Sequence, residues 1–256
     1  MENRKWFGEN GKAGFQEAVK KGSLSDFTEQ AYTKAWQIAR EKRNEMLEYL
    51  EQGYGKAEKN SVPYDVPKYM GKICWLLRDL ISEMAEIEKE YLSVSFFYKV
   101  MPEPQDGWHQ VTETEEVRDE QVKLYTKRKD TVFYRLLNED RSYIYILDKK
   151  QSIRRGEYDG DNRDAMFENE GSVLAMKVDL EDTGKKYVRG ILVISVYGKA
   201  FIEVDNCCRK WGRSFEYVMV YCILPYFKQL FQTECGMIYM NSGHSEAANS
   251  QEKSEL

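Results

Sequence analysis

The segment Lys149–Asn169 carries the side chains of this chain that are best suited to holding a small molecule. It contains three arginines and two aromatic residues in a short stretch interrupted by two glycines. Guanidinium groups bind carboxylates and phosphates through paired hydrogen bonds, and aromatic rings stack on planar ligands. The segment therefore predicts a site for a small anionic or nucleotide-like ligand. The candidate residues are Arg154, Arg155, Tyr158, Asp161, Arg163 and Phe167.

The same segment also has the composition of a solvent-exposed loop. Its arginines are interspersed with acidic residues, and ion pairs on a protein surface contribute little to structure or binding. Its length is unusual for a connection in a compact domain, and long connections often form lids or binding loops. The sequence leaves both interpretations open.

Three tyrosines on strand-like segments are further candidates for ligand contact. Tyr143 and Tyr145 share one face of the segment Ser142–Leu147, and Tyr98 shares a face with Phe96 in an earlier segment. Their hydroxyl groups would contact a ligand if that face lined a cavity. The alternative is that they are core aromatic residues whose hydroxyl groups find partners at the edge of the core.

Cysteine and histidine residues give little indication of catalysis. The chain has five cysteines, with no CxxC pair, and only two histidines, so we expect neither a metal site nor catalytic residues. A small redox enzyme that uses one of the five cysteines is left as an alternative, and the role of adjacent Cys207 and Cys208 is left open. An odd number of cysteines without an export signal favours reduced thiols and a cytoplasmic location.

The overall charge and hydropathy exclude two classes of partner. The net charge is −5 and the pI is about 5.4, so broad electrostatic attraction to nucleic acid is not expected. No apolar run approaches the length of about 18 residues that a membrane-spanning helix requires. We therefore expect a protein that binds neither nucleic acid nor a membrane.

Two helices are predicted upstream of the strands. Ser25–Gln52 has apolar residues at helical spacing, and Val66–Tyr91 carries an uninterrupted heptad pattern. That pattern predicts either a parallel dimer helix or an amphipathic helix packed on its own domain. In the first interpretation the chain is a homodimer, and the residues at the interface between the two helices are Ile73, Leu77, Leu80, Met84 and Ile87.

The remaining elements alternate between short strands and helices. Strands are predicted at Val94–Val100, Ser142–Leu147, Ser172–Leu180 and Tyr187–Val196. Helices are predicted at Thr131–Asn138 and Ser214–Gln232, the second of them interrupted by Pro225. The predicted limits are an N-terminal helical region 1–63, a connecting helix 64–92, a domain 93–235 and a disordered tail 236–256.

The order of these elements resembles the GAF family of sensor domains. The similarity covers residues 69–232 and includes Ser172–Ala175, Gly190–Ile194, and the Phe201 and Asp205 of a Phe-x-x-x-Asp motif. It implies an α+β fold with an antiparallel sheet of about six strands packed on helices. PAS domains are the nearest competing fold. The Asn-Lys-x-Phe-Asp-Glu signature of cyclic-nucleotide-binding GAF domains is absent, so no particular ligand or cofactor is implied.

Together, the residues and the resemblance predict a cytoplasmic sensor module rather than an enzyme. It would bind a small anionic or nucleotide-like ligand and signal through dimer helices to a partner protein. One alternative is a GAF-fold dimerisation scaffold without a ligand. The other is the small cysteine-dependent redox enzyme on the same fold.

Overall fold

The computed structural model describes residues 24–51, 65–85, 87–102, 107–112, 116–117, 128, 131–199 and 214–242. The predictions for the Phe201 and Asp205 motif, for Cys207 and Cys208 and for the residues after 242 lie outside these ranges.

Seven α-helices and seven strands are described. The helices are α1 (Leu24–Glu51), α2 (Val66–Ala85), α3 (Val132–Asn138), α4 (Lys149–Arg154), α5 (Asn162–Met166), α6 (Phe215–Tyr217) and α7 (Leu224–Asn241). The strands are β1 (Leu92–Val100), β2 (His109–Thr112), β3 (Glu116–Val117), β4 (Tyr143–Ile146), β5 (Gly171–Lys177), β6 (Leu180–Asp182) and β7 (Lys185–Tyr197). A 3₁₀ turn covers Lys89–Tyr91. A π-helical stretch, Val218–Ile223, joins α6 to α7, and residues 215–241 are called the C-terminal helix below.

All strands belong to one antiparallel sheet. Its main order is β3-β2-β1-β7-β5-β4, and the short β6 pairs with the beginning of β7. The central pair is β1 and β7, which remain in register from Leu92 opposite Val196 to Val100 opposite Val188. The expected α+β architecture with an antiparallel sheet of about six strands is confirmed.

The two faces of the sheet are covered by different layers. Leu92, Val94 and Phe96 of β1 point towards α1, α2 and the C-terminal helix, which form one core. The intervening Phe97, together with Ile144 of β4, points to a second core under α3. Side chains alternate between faces along a strand, so a strand that is apolar at odd and even positions must be covered on both sides.

The heptad pattern of α2 is satisfied inside the protomer. Its residues are at most 3% exposed, and α2 packs against α1, β1, β2 and the C-terminal helix. An intermolecular coiled coil through these side chains would have to remove them from this core. The structure therefore shows the second interpretation, an amphipathic helix packed on its own domain, and the homodimer stays a prediction. The buried residues are Ile73, Leu77, Leu80, Met84 and Ile87.

The predicted helix Val66–Tyr91 is also shorter than expected. It ends at Ala85, and Ile87 lies beyond it, before the 3₁₀ turn that leads into β1. The Ser82 hydroxyl donates to the Ile87 carbonyl oxygen at 2.7 Å. This contact gives a partner to a carbonyl just beyond the end of the helix.

The segment Lys149–Asn169 is not an irregular loop. It contains α4 and α5, each begun by an aspartate whose carboxylate accepts a backbone N–H. Asp148 accepts from Gln151, and Asp161 accepts from Asp164. Aspartate is among the residues that best satisfy the unpaired N–H groups of a first helical turn. These caps allow two very short helices to form in a polar, glycine-containing sequence.

The C-terminal helix continues beyond the predicted boundary at residue 235. It ends at Asn241, so 236–241 is helical rather than part of a tail. Pro225 lies in the first turn of α7, directly after the π-helical stretch. Proline lacks the N–H that a continuing helix would use, and a π-helical turn changes the hydrogen-bond pattern just before it.

Among the helices described, none combines the length and the apolar character needed to cross a bilayer.

Candidate functional site

A cavity of about 340 Å³ lies on the sheet face opposite α2 and the C-terminal helix. Its floor is formed by β1 and β7, and its sides come from α3 and from the segment between α4 and α5. The volume is at the lower end of the range of roughly 300–1,000 Å³ typical of small-molecule sites. It is therefore large enough for one small ligand.

The floor of the cavity carries hydroxyl groups in the centre of the sheet. Ser93 and Ser95 alternate with apolar residues along β1, and Ser195 lies opposite Ser93 on β7. Phe97 and Val193 lie on the same face and make the floor partly apolar. Such a surface offers hydrogen bonds beside an apolar contact area, as small-molecule sites commonly do.

One side of the cavity is formed by Tyr158, Asp161 and Arg163. The Asp161 carboxylate accepts from the Asp164 N–H at 2.8 Å, and the Asp164 carboxylate accepts from the Asp161 N–H at 3.0 Å. This reciprocal arrangement is a capping box, which determines where α5 begins. It thereby places Asp161 and Arg163 at the cavity.

A buried ion pair holds this segment together beneath the cavity. Lys149 Nζ lies 2.6 Å from Asp164 Oδ1, and both side chains have no exposed surface. The Tyr158 hydroxyl donates to the other oxygen of Asp164 at 2.8 Å. Lys149 Nζ also lies 4.0 Å from the ring centre of Tyr197, a cation–π contact. The pair thus connects the start of α4, the start of α5 and the end of β7.

Burial changes the acidity of these groups. It lowers the pKa of Lys149, and the charge of Asp164 opposes that effect. Burial and then the charge of Asp164 raise the pKa of Tyr158, and burial and then the charge of Asp161 raise that of Tyr197. Both hydroxyl groups are therefore protonated at neutral pH, which agrees with Tyr158 acting as a donor to Asp164.

The charged groups at the cavity differ in how far they are already paired. The Asp159 carboxylate forms an ion pair with the guanidinium of Arg128, whose side chain is 53% exposed. Arg163 donates from Nη2 to the Glu90 carbonyl oxygen at 2.7 Å, and its guanidinium lies 4.3 Å from the ring centre of Tyr197. Among the described lining residues, the cavity therefore has a single arginine, Arg163, and not a cluster.

Some of the ligand-contact residues predicted in Lys149–Asn169 line the cavity and others do not. Tyr158, Asp161 and Arg163 line the cavity, whereas Arg154 and Arg155 are exposed at the end of α4 and do not. Phe167 packs edge-to-face on Tyr91, with ring centres 5.8 Å apart, and also does not line it. The turns of α4 and α5 direct Arg154, Arg155 and Phe167 away from this cavity, so their contact with a ligand stays a prediction without support from the cavity.

The three predicted strand tyrosines lie on the helix-covered face. Tyr98 stacks on His109, with ring centres 4.8 Å apart. Tyr143 and Tyr145 pack against the core formed with α1, α2 and the C-terminal helix, called the helix-side core below. The pKa of Tyr143 is raised, chiefly by burial and then by hydrogen bonds to Glu216 and Tyr221. The alternation of side chains along β1 and β4 places their neighbours on the cavity face, so these tyrosines do not line the cavity. Their contact with a ligand stays a prediction.

Sequence reasoning did not select the polar residues of the cavity floor. One signal was present in the run Leu-Ser-Val-Ser-Phe of β1, where two small hydroxyl residues share a face of an otherwise apolar strand. A serine in the middle of a doubly covered strand lies against either a close neighbour or a cavity. The overlooked residues are Ser93, Ser95, Gln110, Asp159, Ser195 and Tyr197.

A second concave surface lies between α1 and the C-terminal helix. It is larger, at about 840 Å³, but open to solvent, and its lining includes Tyr32, Tyr221, Tyr226 and Cys222. An enclosed cavity removes water from its ligand, whereas an open groove leaves the ligand largely hydrated. The cavity over β1 and β7 is the more enclosed of the two and is therefore the better candidate site.

The described cysteines do not approach this cavity. Cys74 and Cys235 are buried in the helix-side core, and burial raises the pKa of Cys235. Cys222 lies in the open groove. Within the described ranges, no group of three or more histidine, cysteine or acidic side chains is arranged to hold a metal ion.

The chain was compared with protein-family models, curated proteins and solved structures, and none of the three comparisons gives a match.

Proposed function

We propose that this protein is a sensor module that binds a small polar molecule in the cavity over β1 and β7. The observation that supports the proposal is the position of the cavity. Hydroxyl groups of the two central strands face it, and the same strands contact α2 and the C-terminal helix on their other face. The resemblance of the sequence to GAF domains favours the same function.

The signal would pass through the sheet to the helices. Ser95 and Phe97 face the cavity, while Phe96 between them stacks on Phe231 of the C-terminal helix, with ring centres 4.2 Å apart. A shift of β1 on binding would therefore move a side chain packed against that helix. The ligand changes the conformation only to the extent that it binds one state more tightly than the other.

This route replaces the predicted route through a dimer helix, since the heptad residues of α2 are buried in their own protomer. A partner protein would instead detect the outer surface of α1 or of the C-terminal helix. A homodimer remains a proposal, and its interface would have to use a surface other than the heptad residues of α2.

The ligand-free scaffold is less well supported than the sensor. A domain that serves only as a scaffold gains stability from a cavity filled with apolar side chains, because empty and polar interior volume is destabilising. Here the central strands present Ser93, Ser95 and Ser195 to the cavity. The redox-enzyme alternative has no support from the cavity, since none of the described cysteines lines it.

Native mass spectrometry of the protein purified from its own host tests the proposal directly. We expect a bound small molecule, and we expect it to be lost in Ser95→Leu, whose larger side chain would occupy the cavity. Ser142→Leu, at an exposed position, is the matched control and should retain the ligand. Ser93→Leu provides a second blocking variant if the first does not fold.

A thermal-shift measurement with a panel of metabolites provides the second readout. A ligand at about 100 times its Kd stabilises the folded state by about 2.7 kcal/mol, which raises Tm by roughly 5–10 °C for a chain of this size. The sensor proposal fails if the host protein carries no molecule and no metabolite raises Tm in the wild type more than in Ser95→Leu.

A further inference from the structure

Among the described residues that line the cavity, Arg163 is the one cationic side chain, and it can bind a carboxylate. A guanidinium has five N–H donors, and the described contacts of Arg163 use Nη2 for the Glu90 carbonyl oxygen. The face of the group is covered by the ring of Tyr197. Its remaining donors are held at a defined orientation at the cavity wall, which favours paired hydrogen bonds to a planar anion.

Of the two carboxylates in the described lining, Asp161 is the one that can accept from a cation of a ligand. Asp161 uses Oδ1 for the Asp164 N–H, which leaves Oδ2 without a donor among the described residues. Within the described part of the chain, Asp161 and Arg163 do not form an ion pair, since the contacts of Arg163 are with Glu90 and Tyr197. Asp159, the second acidic residue, is already paired with Arg128.

The charges of the described lining residues do not match a ligand with several negative charges. Arg154 and Arg155, which would have neutralised a phosphate chain, are exposed and outside the lining. A polyphosphate or a dicarboxylate would instead place a second negative charge beside Asp159 and Asp161, and like charges brought together in a desolvated site are unfavourable. A ligand with only a positive charge would leave the donors of Arg163 without a partner.

The remaining surface of the cavity is a mixture of hydroxyl and apolar groups. Ser93 and Ser95 provide hydrogen bonds, and Phe97, Phe133 and Val193 provide an apolar wall. We propose that the cavity binds a small zwitterion, of the α-amino acid class, with its carboxylate at Arg163, its ammonium group at Asp161 and its side chain against the apolar wall. This inference rests on the proposed sensor function and specifies its ligand.

Isothermal titration calorimetry on the full chain tests the ligand class. The compounds are the twenty common amino acids, AMP, succinate, and the deaminated and decarboxylated analogues of each amino acid that binds; for leucine these are isocaproate and isoamylamine. Isocaproate lacks the ammonium group, and isoamylamine lacks the carboxylate. We expect at least one amino acid to bind, and we expect the deaminated and decarboxylated forms of that amino acid to bind about tenfold more weakly or worse, as loss of a charge-assisted hydrogen bond predicts.

Two conservative variants test which residue recognises which group. Arg163→Gln should weaken binding of the amino acid about tenfold or more and leave binding of its decarboxylated analogue unchanged. Asp161→Asn keeps the α5 cap, because asparagine also caps helices. It should weaken binding of the amino acid and leave binding of the deaminated analogue unchanged. Arg154→Gln and Asp140→Asn, both at exposed positions, are the matched controls.

The outcomes separate this inference from the proposed function. Binding of AMP or succinate in preference to every amino acid overturns the zwitterion and leaves the sensor proposal standing. Equal binding of an amino acid and its two analogues, or equal effects of Arg163→Gln and Arg154→Gln, also overturns it. If no compound binds and the host-purified protein carries no molecule, both proposals fail.

Discussion

Asp164→Asn is expected to destabilise this protein strongly, although Asp164 lies in a polar, glycine-containing segment. The substitution keeps the shape of the side chain and removes its charge. Lys149, whose Nζ lies 2.6 Å from the Asp164 carboxylate, would then be a buried ammonium group without a counter-ion. Both side chains have no exposed surface, so water cannot replace the lost interaction.

The size of the effect follows from two estimates that agree. Removing one partner of a buried ion pair costs about 3–5 kcal/mol. The lysine can avoid the penalty by losing its proton, and bringing a group with a pKa of about 10.4 to the neutral form at pH 7 costs about 4.6 kcal/mol. For a chain of this size, a loss of 3–5 kcal/mol lowers Tm by roughly 6–20 °C.

Urea denaturation followed by circular dichroism at pH 7 measures this loss. The matched control is Glu170→Gln, which breaks the neighbouring pair with Lys150 at 3.1 Å. The side chains of that pair are 38% and 47% exposed, so its loss should cost less than about 1 kcal/mol. Adding Lys149→Met to Asp164→Asn removes the unpaired ammonium and should recover most of the stability.

The pH dependence gives a second, independent readout. In Asp164→Asn, Lys149 is neutral when folded and charged when unfolded, so the unfolded state binds more protons. Stability should then rise with pH from 7 towards the unfolded pKa, by up to about 1.4 kcal/mol per pH unit. In the wild type, the charge of Asp164 opposes the effect of burial on the pKa of Lys149, so the rise should be smaller.

Two results would refute this reasoning. The first is a loss of stability in Asp164→Asn no larger than in Glu170→Gln. The second is the same pH slope in Asp164→Asn and in the wild type between pH 7 and pH 9. Either would mean that Lys149 is not held in the interior by Asp164.

Three further substitutions, two of them with a matched control, test the packing of the fold and the burial of Tyr158. Gly171→Ala should cost at least about 2 kcal/mol in urea denaturation, because Gly171 has φ +145° and a Cβ there would collide with β7. Gly156→Ala, with open space around it, should cost only about 1 kcal/mol. Leu77→Ala should cost about 2–5 kcal/mol at every protein concentration, whereas Leu47→Ala, at an exposed position, should be nearly neutral; a Leu77→Ala effect that disappears on dilution would contradict internal packing. Burial raises the pKa of Tyr158 above its unfolded value. The contribution of Tyr158 to stability is therefore complete below about pH 10 and falls above that pH. Tyr158→Phe should reduce this fall in stability in denaturation curves measured from pH 9 to pH 11.

The site shows where sequence reasoning succeeds and where it stops. The segment Lys149–Asn169 was predicted to contain ligand-binding residues, and part of it does line the cavity. Of its three arginines only Arg163 reaches the lining, because the capped starts of α4 and α5 decide where each side chain points. The serines of β1 and β7 were overlooked. A serine in a strand can be recognised as part of a binding site only when the residues beside it in the sheet are known.

The sequence alone determined the local elements and the two-sided covering of the central strands. Helical or strand periodicity and an apolar character at odd and even positions depend on the chain itself, so β1, β5, β7 and the α2 pattern could be predicted. Only the tertiary structure decided what each pattern faces. The heptad pattern of α2 is the same whether the helix packs against a second copy of the chain or against its own sheet. Tyr143 and Tyr145 likewise share a face of β4, whichever layer covers that face. The burial of α2, the ion pair of Lys149 with Asp164 and the shape of the cavity all depend on contacts between segments that are distant in sequence. The periodicity of one segment carries no information on those contacts.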